Sequence, residues 1–579
     1  MSAIAGCFWR DGRMAADGDL RPALDAIRHR TPFALSSTVC GPVALAAGEL
    51  LSCGDHHIAF HGRLDNADDV RSRFGLDRAQ SDASLALAAC RSLGANAGAL
   101  LEGDFAVAVW DAAARQVLCI RDGMGQRPVF YAILPHVVVI GSEPQQILRH
   151  PDVPREVNER AVAEYLSGLP LTVDQTLWTA VRRLPPGHAL IATADRAQVT
   201  RVWDFAPGFE TGCRTDGEYV DRFRDLFTTA VRRRATARPA VFLSGGIDST
   251  AVAALAASLT SGSSARVRGF SVTFPGRACD ESPFIESVTR FCGVESSALP
   301  AVPATRESVC GEIDRYLDVP AYPNGSVMDP LRQRAAAAGA PVVMTGYGGD
   351  EWFAGRRPPR SGIGGAVRRL LPAGVRRTLR HVRGYSAPPP IDWIAPGFAR
   401  RTSLGDRWTL LAPVFPSAAQ QEIYSVVRSA SQVVADELEE RAASAAGIEQ
   451  RHPFYDRSLA EFGLALPETQ RFAHGRSKVV VRHALKDLLP PDVAARTDKA
   501  EFSTTFVDAL DALGGAACFE RLRIEAIGWV DGATVRRRYA RMMELYRLGN
   551  ESYIPWTDGL WEVAAVELWF RRAVQGDRA

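Results

Sequence analysis

VFLSGGIDS, residues Val241 to Ser249, is the stretch whose reading decides the fold. The apolar run Val241–Leu243 stops at Ser244, Gly245 and Gly246, and a helix-compatible segment continues from Asp248 to Ser258. That order predicts a strand, a tight glycine turn and a helix, which together aim several backbone N–H groups and a helix N-terminus at one spot. Such a spot suits an anion, phosphate above all. Leu243, Ser244, Gly245, Gly246 and Ser249 are the residues to meet it, and the two glycines let the backbone come close. Asp248 would repel phosphate, so its place there implies a Mg2+ ion held against it. No Lys-Ser/Thr pair follows the glycines, which excludes the Walker A form.

Outward from this loop, the chain alternates strand and helix. RGFSVTF (268–274) is the next strand, a helix opens at Asp280-Glu281 and runs to about Cys292, and PVVMT (341–345) is a third strand. It ends directly in GYGGDE (346–351), a second glycine-rich turn. Alternation of this kind predicts an α/β fold with a doubly wound parallel sheet and ligands at the carboxyl ends of its strands. The backbone of Ser271, Val272 and Thr273 is placed to meet an adenine edge, Thr345 and Gly346 flank the phosphates, and Asp248 and Asp350 converge on one Mg2+. A nucleotide's phosphates with Mg2+ are the ligand that these positions suit.

Before the loop, residues 1 to about 205 read as strand-rich, with runs at Val43–Ala47, Ile58–Phe60, Phe105–Trp110, Gln116–Ile120, Val129–Ile133 and Val137–Ile140 and helical patterns at Asp82–Ser92 and Glu159–Ser167. Sheet layers with helices outside follow from that pattern. A polar connector, PGFETGCRTDG (207–217), separates this part from an amphipathic helix over Glu218–Arg234, so two domains are expected, 1–206 and 207–579. Beyond the loop, residues 356–392 carry a run of arginines from Arg356 to Arg383, read as a solvated segment or as a lid or docking surface; 393–440 reads as helical, with Trp408 and Tyr424 in the core.

The whole chain of 579 residues has 46% hydrophobic and 23% charged residues and a formal net charge of +2. These are globular values that point to neither nucleic acid nor a membrane. The N-terminal apolar stretch is too short for a signal peptide. Ten scattered cysteines, without C-x-x-C pairs or metal-ligand spacing, fit reduced thiols in the cytoplasm.

SGGIDS resembles the pyrophosphate-binding loop of ATP pyrophosphatases that make AMP-activated carboxylates, of the asparagine synthetase type. SAIAG (2–6), HGRLDN (61–66), LEGDFAVAVWD (101–111), IRDGMGQRPVFY (120–131), GSE (141–143) and RRLPPGHAL (182–190) are similar to that family's N-terminal-nucleophile glutaminase domain. GIEQRHPFYDRSLAEFGLALP (447–467), HGRSKVVVRHAL (474–485) and RTDKAEFS (496–503) resemble its synthetase domain. The resemblance implies Lys478 on the phosphates and Lys499 at the reacting carbonyl, because adenylation needs cations for the departing pyrophosphate and the oxyanion.

Two departures from the family pattern bear on activity. The family's nucleophile is a cysteine after the initiator methionine; here Ser2 stands there, a far weaker nucleophile, and Cys7 has no free amine to serve as base. A dead glutaminase kept as a structural half is expected. Where asparagine synthetase has a glutamate, this chain has Tyr347, as in the amide-forming cyclases: β-lactam synthetase, carbapenam synthetase and the lasso peptide cyclases. In those, the nucleophile is an amine of the same substrate, and the β-lactam enzymes pair the tyrosine with a glutamate, a pair that could accept the amine proton. Counting back from His452 gives Glu437 as the partner, with Glu439 and Glu440 as alternatives. The long 356–440 region, PPPIDWIAPGFARRTSLGDR (388–407) and RTDKAEFS resemble lasso peptide cyclases, which implies a precursor peptide as substrate and a leader-binding protein and leader protease as pathway partners. A small-molecule cyclase, a glutamine-independent asparagine synthetase and a peptide-binding scaffold without catalysis are the alternatives.

Overall fold

The structure, a computed structural model, describes residues 3–30, 35–168, 172–261, 265–355, 392–404 and 413–577. Ser2, the arginines of 356–383 and Trp408 lie outside the described residues.

Alternation organises the first 201 residues. In the strand Ile4–Trp9, Ile4 and Phe8 point to one face and Ala5, Cys7 and Trp9 to the other, and all are buried. Both faces are covered because the strand lies in one of two stacked six-stranded sheets, antiparallel at every named pairing. The apolar layer between the sheets takes Ile4, Phe8, Val138 and Ile140 from one and Ala106, Ala108, Trp110 and Cys119 from the other. Helix Asp82–Leu93 buries Leu85 and Leu87 against the outside of the second sheet. Helices Asp17–Ala26 and Glu159–Leu166 pack outside the first.

The second part is a five-stranded parallel sheet. Strand β1 (Ala240–Phe242) is central, with β2 (Arg268–Thr273) and β3 (Glu295–Pro300) on one side and β4 (Val342–Met344) and β5 (Glu449–Arg451) on the other. All four pairings are parallel, as the doubly wound reading requires. The chain leaves β1 in two directions, so the crevice between the ends of β1 and β4 is the topological switch point. Strand–helix periodicity does not predict β3 or β5. ESSALP and EQR lack an apolar run because both strands lie at sheet edges, where polar side chains discourage pairing with other chains.

Three helices position the site. Helix α1 (Ile247–Thr260) follows the first glycine loop and is buried nearly all round. Helix α2 (Ala430–Ala445) stands between the parallel sheet and the N-terminal layers, and α3 (Ile554–Trp569) packs against helix Glu159–Leu166. One apolar core runs across both parts: it includes Val162, Leu166 and Trp178 together with Ile313, Leu317, Val563 and Trp569, and the Trp178 and Trp569 rings meet edge to face at 5.4 Å. Tyr424 is buried, as expected. All ten cysteines are free thiols, and among the described residues no helix is long and apolar enough to cross a membrane.

Candidate active site

The glycine loop after β1 is built by its serines. The Ser249 hydroxyl accepts from the Ser244 N–H at 3.1 Å, lies 3.0 Å from the Ser244 hydroxyl and donates to the Gly246 carbonyl at 3.2 Å. Leu243 donates its N–H to the Phe270 carbonyl at 2.8 Å and closes the strand. Gly245 has φ +74°, and a Cβ there would lie 2.7 Å from that of Phe284. The turn therefore requires glycine on both counts.

The second loop, after β4, interlocks with the first. A Cβ on Gly346 would collide with the Ser249 backbone nitrogen, and one on Gly349 with the Asp248 carboxyl. The glycines of GYGGDE are thus dictated by the approach of the two loops. Thr345 is fixed there by three groups: it donates its backbone N–H to the Arg451 carbonyl at 3.0 Å, and its hydroxyl accepts from the Tyr347 N–H at 3.1 Å and lies 2.7 Å from His452 Nδ1. Burial pushes the His452 imidazole down to about 4, so the ring is neutral at physiological pH.

Charges converge on this crevice. Lys478 is paired with Asp248 and, at 2.7 Å, with Asp350, and Lys499 reaches the other Asp350 oxygen at 2.6 Å. Burial raises Asp248, with Lys478 opposing it; burial also raises Asp350, but Lys478 and Lys499 outweigh it and hold that carboxyl at about 2. Lys478 itself loses more to burial than to any other single effect, yet its two aspartates together raise it and keep it charged. It has φ +58°, a strained conformation for a side chain of that size, at the entrance to the helix Val479–Ala484. Lys499 is exposed on a loop that lacks regular structure. The four residues Asp248, Asp350, Lys478 and Lys499 come together as the sequence predicts.

Strand β2 runs three residues past its pairing with β1, so Ser271, Val272 and Thr273 pair only with β3. Their other edge faces the space above the first loop. Among the described residues the buried Ser271 hydroxyl has no hydrogen-bond partner. A base edge placed there would find free main-chain groups.

Tyr347 has a partner, and it is not Glu437. Its hydroxyl donates to Asp436 Oδ1 at 2.9 Å and accepts from Gln432 Nε2 at 2.6 Å, and its ring stacks on Tyr455 at 5.5 Å. Gln432 also reaches Asp436 at 2.9 Å and the Tyr455 hydroxyl at 3.0 Å. Glu437 instead accepts from Arg121 at 3.0 Å and Arg183 at 2.8 Å, both on the N-terminal layers. The alternatives are engaged too: Glu439 with Arg332 at 2.7 Å, Glu440 with Arg30 at 2.7 Å. Neighbouring residues of a helix point about 100° apart, so an offset of one in the counting exchanged a ligand-facing carboxylate for a structural one. Gln432 and Asp436, four apart on α2, share the face that meets Tyr347. That spacing and the tyrosine of HPFYD were the available signals.

Burial pushes Asp436 up to about 8 against the hydrogen bonds from Gln432 and Tyr347, and burial with the nearby Asp436 lifts Tyr347 well above the usual phenol range. The tyrosine stays protonated at neutral pH while the carboxyl titrates near it. A chamber of about 810 Å3 opens beside Tyr347, bordered by Glu312, Tyr322, Leu438, Glu439 and Phe506. Towards the N-terminal layers, the gap between Asp436, His452, Asp104 and Arg127 measures only about 10 Å3, near the minimum for a single water.

No cluster of three or more His, Cys, Asp or Glu side chains forms a metal cage among the described residues. A Mg2+ ion nonetheless fits the crevice: Asp248 and Asp350 both reach one cation, the Lys478 ammonium, and Asp248 Oδ1 is buried without a partner among the described residues. Two carboxylates are the usual protein share when phosphates supply further oxygens.

A parallel sheet carries two glycine loops, two aspartates and two lysines at its switch point, a place where α/β folds take ligands, and sequence comparison gives the family. The asparagine synthase family model matches residues 222–571 and the glutamine amidotransferase domain model residues 1–203. The chain belongs to the asparagine synthase family, whose members are ATP-dependent carbon–nitrogen ligases. Two Bacillus subtilis proteins named glutamine-hydrolyzing asparagine synthetase 3 and 1 are 24% and 22% identical over 474 and 491 residues, covering 76% and 78% of this chain and 74% and 76% of their own. A Gibberella zeae protein named amidase chry2 is 26% identical over 373 residues, 58% of this chain and 55% of its own.

Proposed function

We propose that this protein adenylates a side-chain carboxylate of a peptide and closes a macrolactam with an amine of the same molecule, as a lasso peptide cyclase does. The observation that carries the reading is the Tyr347–Asp436 pair at the edge of the 810 Å3 chamber. An α-amino group ionises near ~8, so a carboxyl that titrates near the same value is matched to take its proton. Because Tyr347 keeps its own proton, it relays and orients while Asp436 receives.

The carboxylate oxygen attacks the α-phosphorus of ATP, the bond to the bridging oxygen breaks and pyrophosphate leaves. Ser244–Ser249 cradle the phosphates, and Lys478 neutralises the departing pyrophosphate. Asp248 and Asp350 would hold Mg2+, which would supply charge neutralisation on the phosphates. The amine then attacks the acyl carbon, Lys499 stabilises the oxyanion, and AMP leaves as the amide forms and one proton passes to Asp436. Holding both reacting groups in one molecule supplies much of the rate.

Ser2 in place of a cysteine, and a domain interface closed by Arg30–Glu440, Arg121–Glu437 and Arg127–Glu449 pairs, support a nitrogen source other than glutamine. A leader-binding protein and a leader protease would supply the freed peptide. The test is incubation with ATP, Mg2+ and a candidate core peptide, read by mass spectrometry. Loss of one water from the peptide with stoichiometric AMP supports the reading. The relatives' printed names favour the rival: asparagine formed from aspartate and ammonium ion, with no dehydrated peptide, would replace it.

A further inference from the structure

A second chamber, of about 450 Å3, lies behind the first and takes no part in the chemistry described above. Tyr322, Ala435, Leu438 and Asp558 line both, so the two spaces meet across these four residues. Most of its wall is apolar: Leu177, Val434, Trp393 and Trp556 face it, and Gly559 of α3 allows the Trp393 ring to close in, since a Cβ there would lie 2.6 Å from that ring.

Its floor is acidic. Glu562 of α3 is 3% exposed; Oε1 accepts from the Tyr322 hydroxyl at 2.8 Å, and Oε2 is buried with no partner among the described residues. Asp558 lies one turn away on the same face of α3. Among the described residues neither carboxyl forms an ion pair. Among the described residues, the one basic side chain on the wall, Arg183, is already held by Glu437. A buried carboxyl oxygen without a donor is costly, and a ligand donor is what would satisfy it. Burial, with Asp558 adding to it, holds the Glu562 proton up to about 8, the state of such a carboxyl before a cation arrives.

We propose that this chamber is a specificity pocket for one cationic side chain of the substrate, arginine or lysine, held by Glu562 and Asp558 while the reacting groups occupy the chamber at Tyr347. The assignment rests on the ligase reading and names a feature of its substrate: a basic residue near the ring-forming segment. The long aliphatic stem of such a side chain suits the apolar wall, and its donors suit the acidic floor.

The test is calorimetric titration of the full-length protein, without ATP, by N-acetyl-arginine amide and by its uncharged isostere N-acetyl-citrulline amide. The arginine compound should bind about tenfold more tightly, as hydrogen bonds to a charged group do. Glu562→Gln should reduce that preference to about twofold or less. Ser431→Lys, which places a cation at the exposed rim from a position tolerant of substitution, should do the same. Equal affinities, no binding of either compound, or a preference that survives both variants overturns the proposal. ATP–pyrophosphate exchange with peptide separates the two readings. Exchange without the arginine preference removes the pocket alone, whereas the preference without exchange removes the ligase reading.

Discussion

Asp436 and Asp248 are both buried carboxylates, but their neighbours give them opposite tasks. Asp248 pairs with Lys478 beside Asp350, where two carboxylates can meet one metal ion; Asp436 faces amide and phenol groups and keeps a proton. Asp248→Asn should abolish peptide-dependent ATP–pyrophosphate exchange, because Lys478 and the metal both lose their anchor; exchange at the native rate would refute the phosphate site. For Asp436 the pH dependence has a definite sign. The unfolded carboxyl ionises near ~4 whereas the folded one holds its proton to about 8, so stability falls as pH rises through that window and levels off above it. Asp436→Asn should flatten that part of the melting-temperature profile. In the native protein the amide-forming step should accelerate with an inflection near 8, and the variant should lose both the acceleration and most of the rate. A variant with the native pH–rate profile would remove Asp436 from the chemistry.

Helices and loops set which of these residues the sequence could reveal. The two glycine loops were legible because close approach leaves a chemical mark: only glycine fits at Gly346 and Gly349, and the strand before each is apolar. The face of α2 was not, since QVVADELEE offers four acids and one amide with no apolar stripe to fix its rotation. Its Glu437 and Glu440 bind arginines more than two hundred and fifty residues away in sequence, which no local pattern records. Gly349 gives a clean test of the interlock. Its backbone is not in the left-handed region, so alanine is allowed by conformation and excluded only by the Asp248 carboxyl. Gly349→Ala should fold with a near-native melting temperature yet lose about 10²-fold in pyrophosphate exchange, as a misplacement of about 1 Å at a reacting centre does. Unchanged exchange would mean that the two loops do not need their observed contact.

At the scale of the whole molecule, the fold class was readable from strand–helix alternation, and the edge strands β3 and β5 escaped because edges are polar by necessity. The dependence of one half on the other was not readable. Residues 1–206 and 207–579 look separable in sequence, joined by a polar connector, yet Trp178 packs on Trp569, its indole N–H donates to the Leu317 carbonyl at 2.7 Å, and Glu437 answers Arg121 and Arg183. If the glutaminase-like half has no nucleophile, these contacts are its remaining task. Expressing residues 207–579 alone would expose the shared apolar core and strip Glu437 and Glu440 of their arginine partners. Each large apolar side chain returned to water costs about 1.5–3 kcal/mol, and a few of them amount to a large part of the stability of an ordinary domain. The fragment should therefore bind hydrophobic dyes, lack near-ultraviolet circular dichroism and show no pyrophosphate exchange. Co-expression with residues 1–206 as a separate chain should restore all three, because the contacts need the layers and not the connector. A folded, ATP-competent 207–579 fragment would instead mean that the N-terminal half is retained for something other than holding the synthetase together.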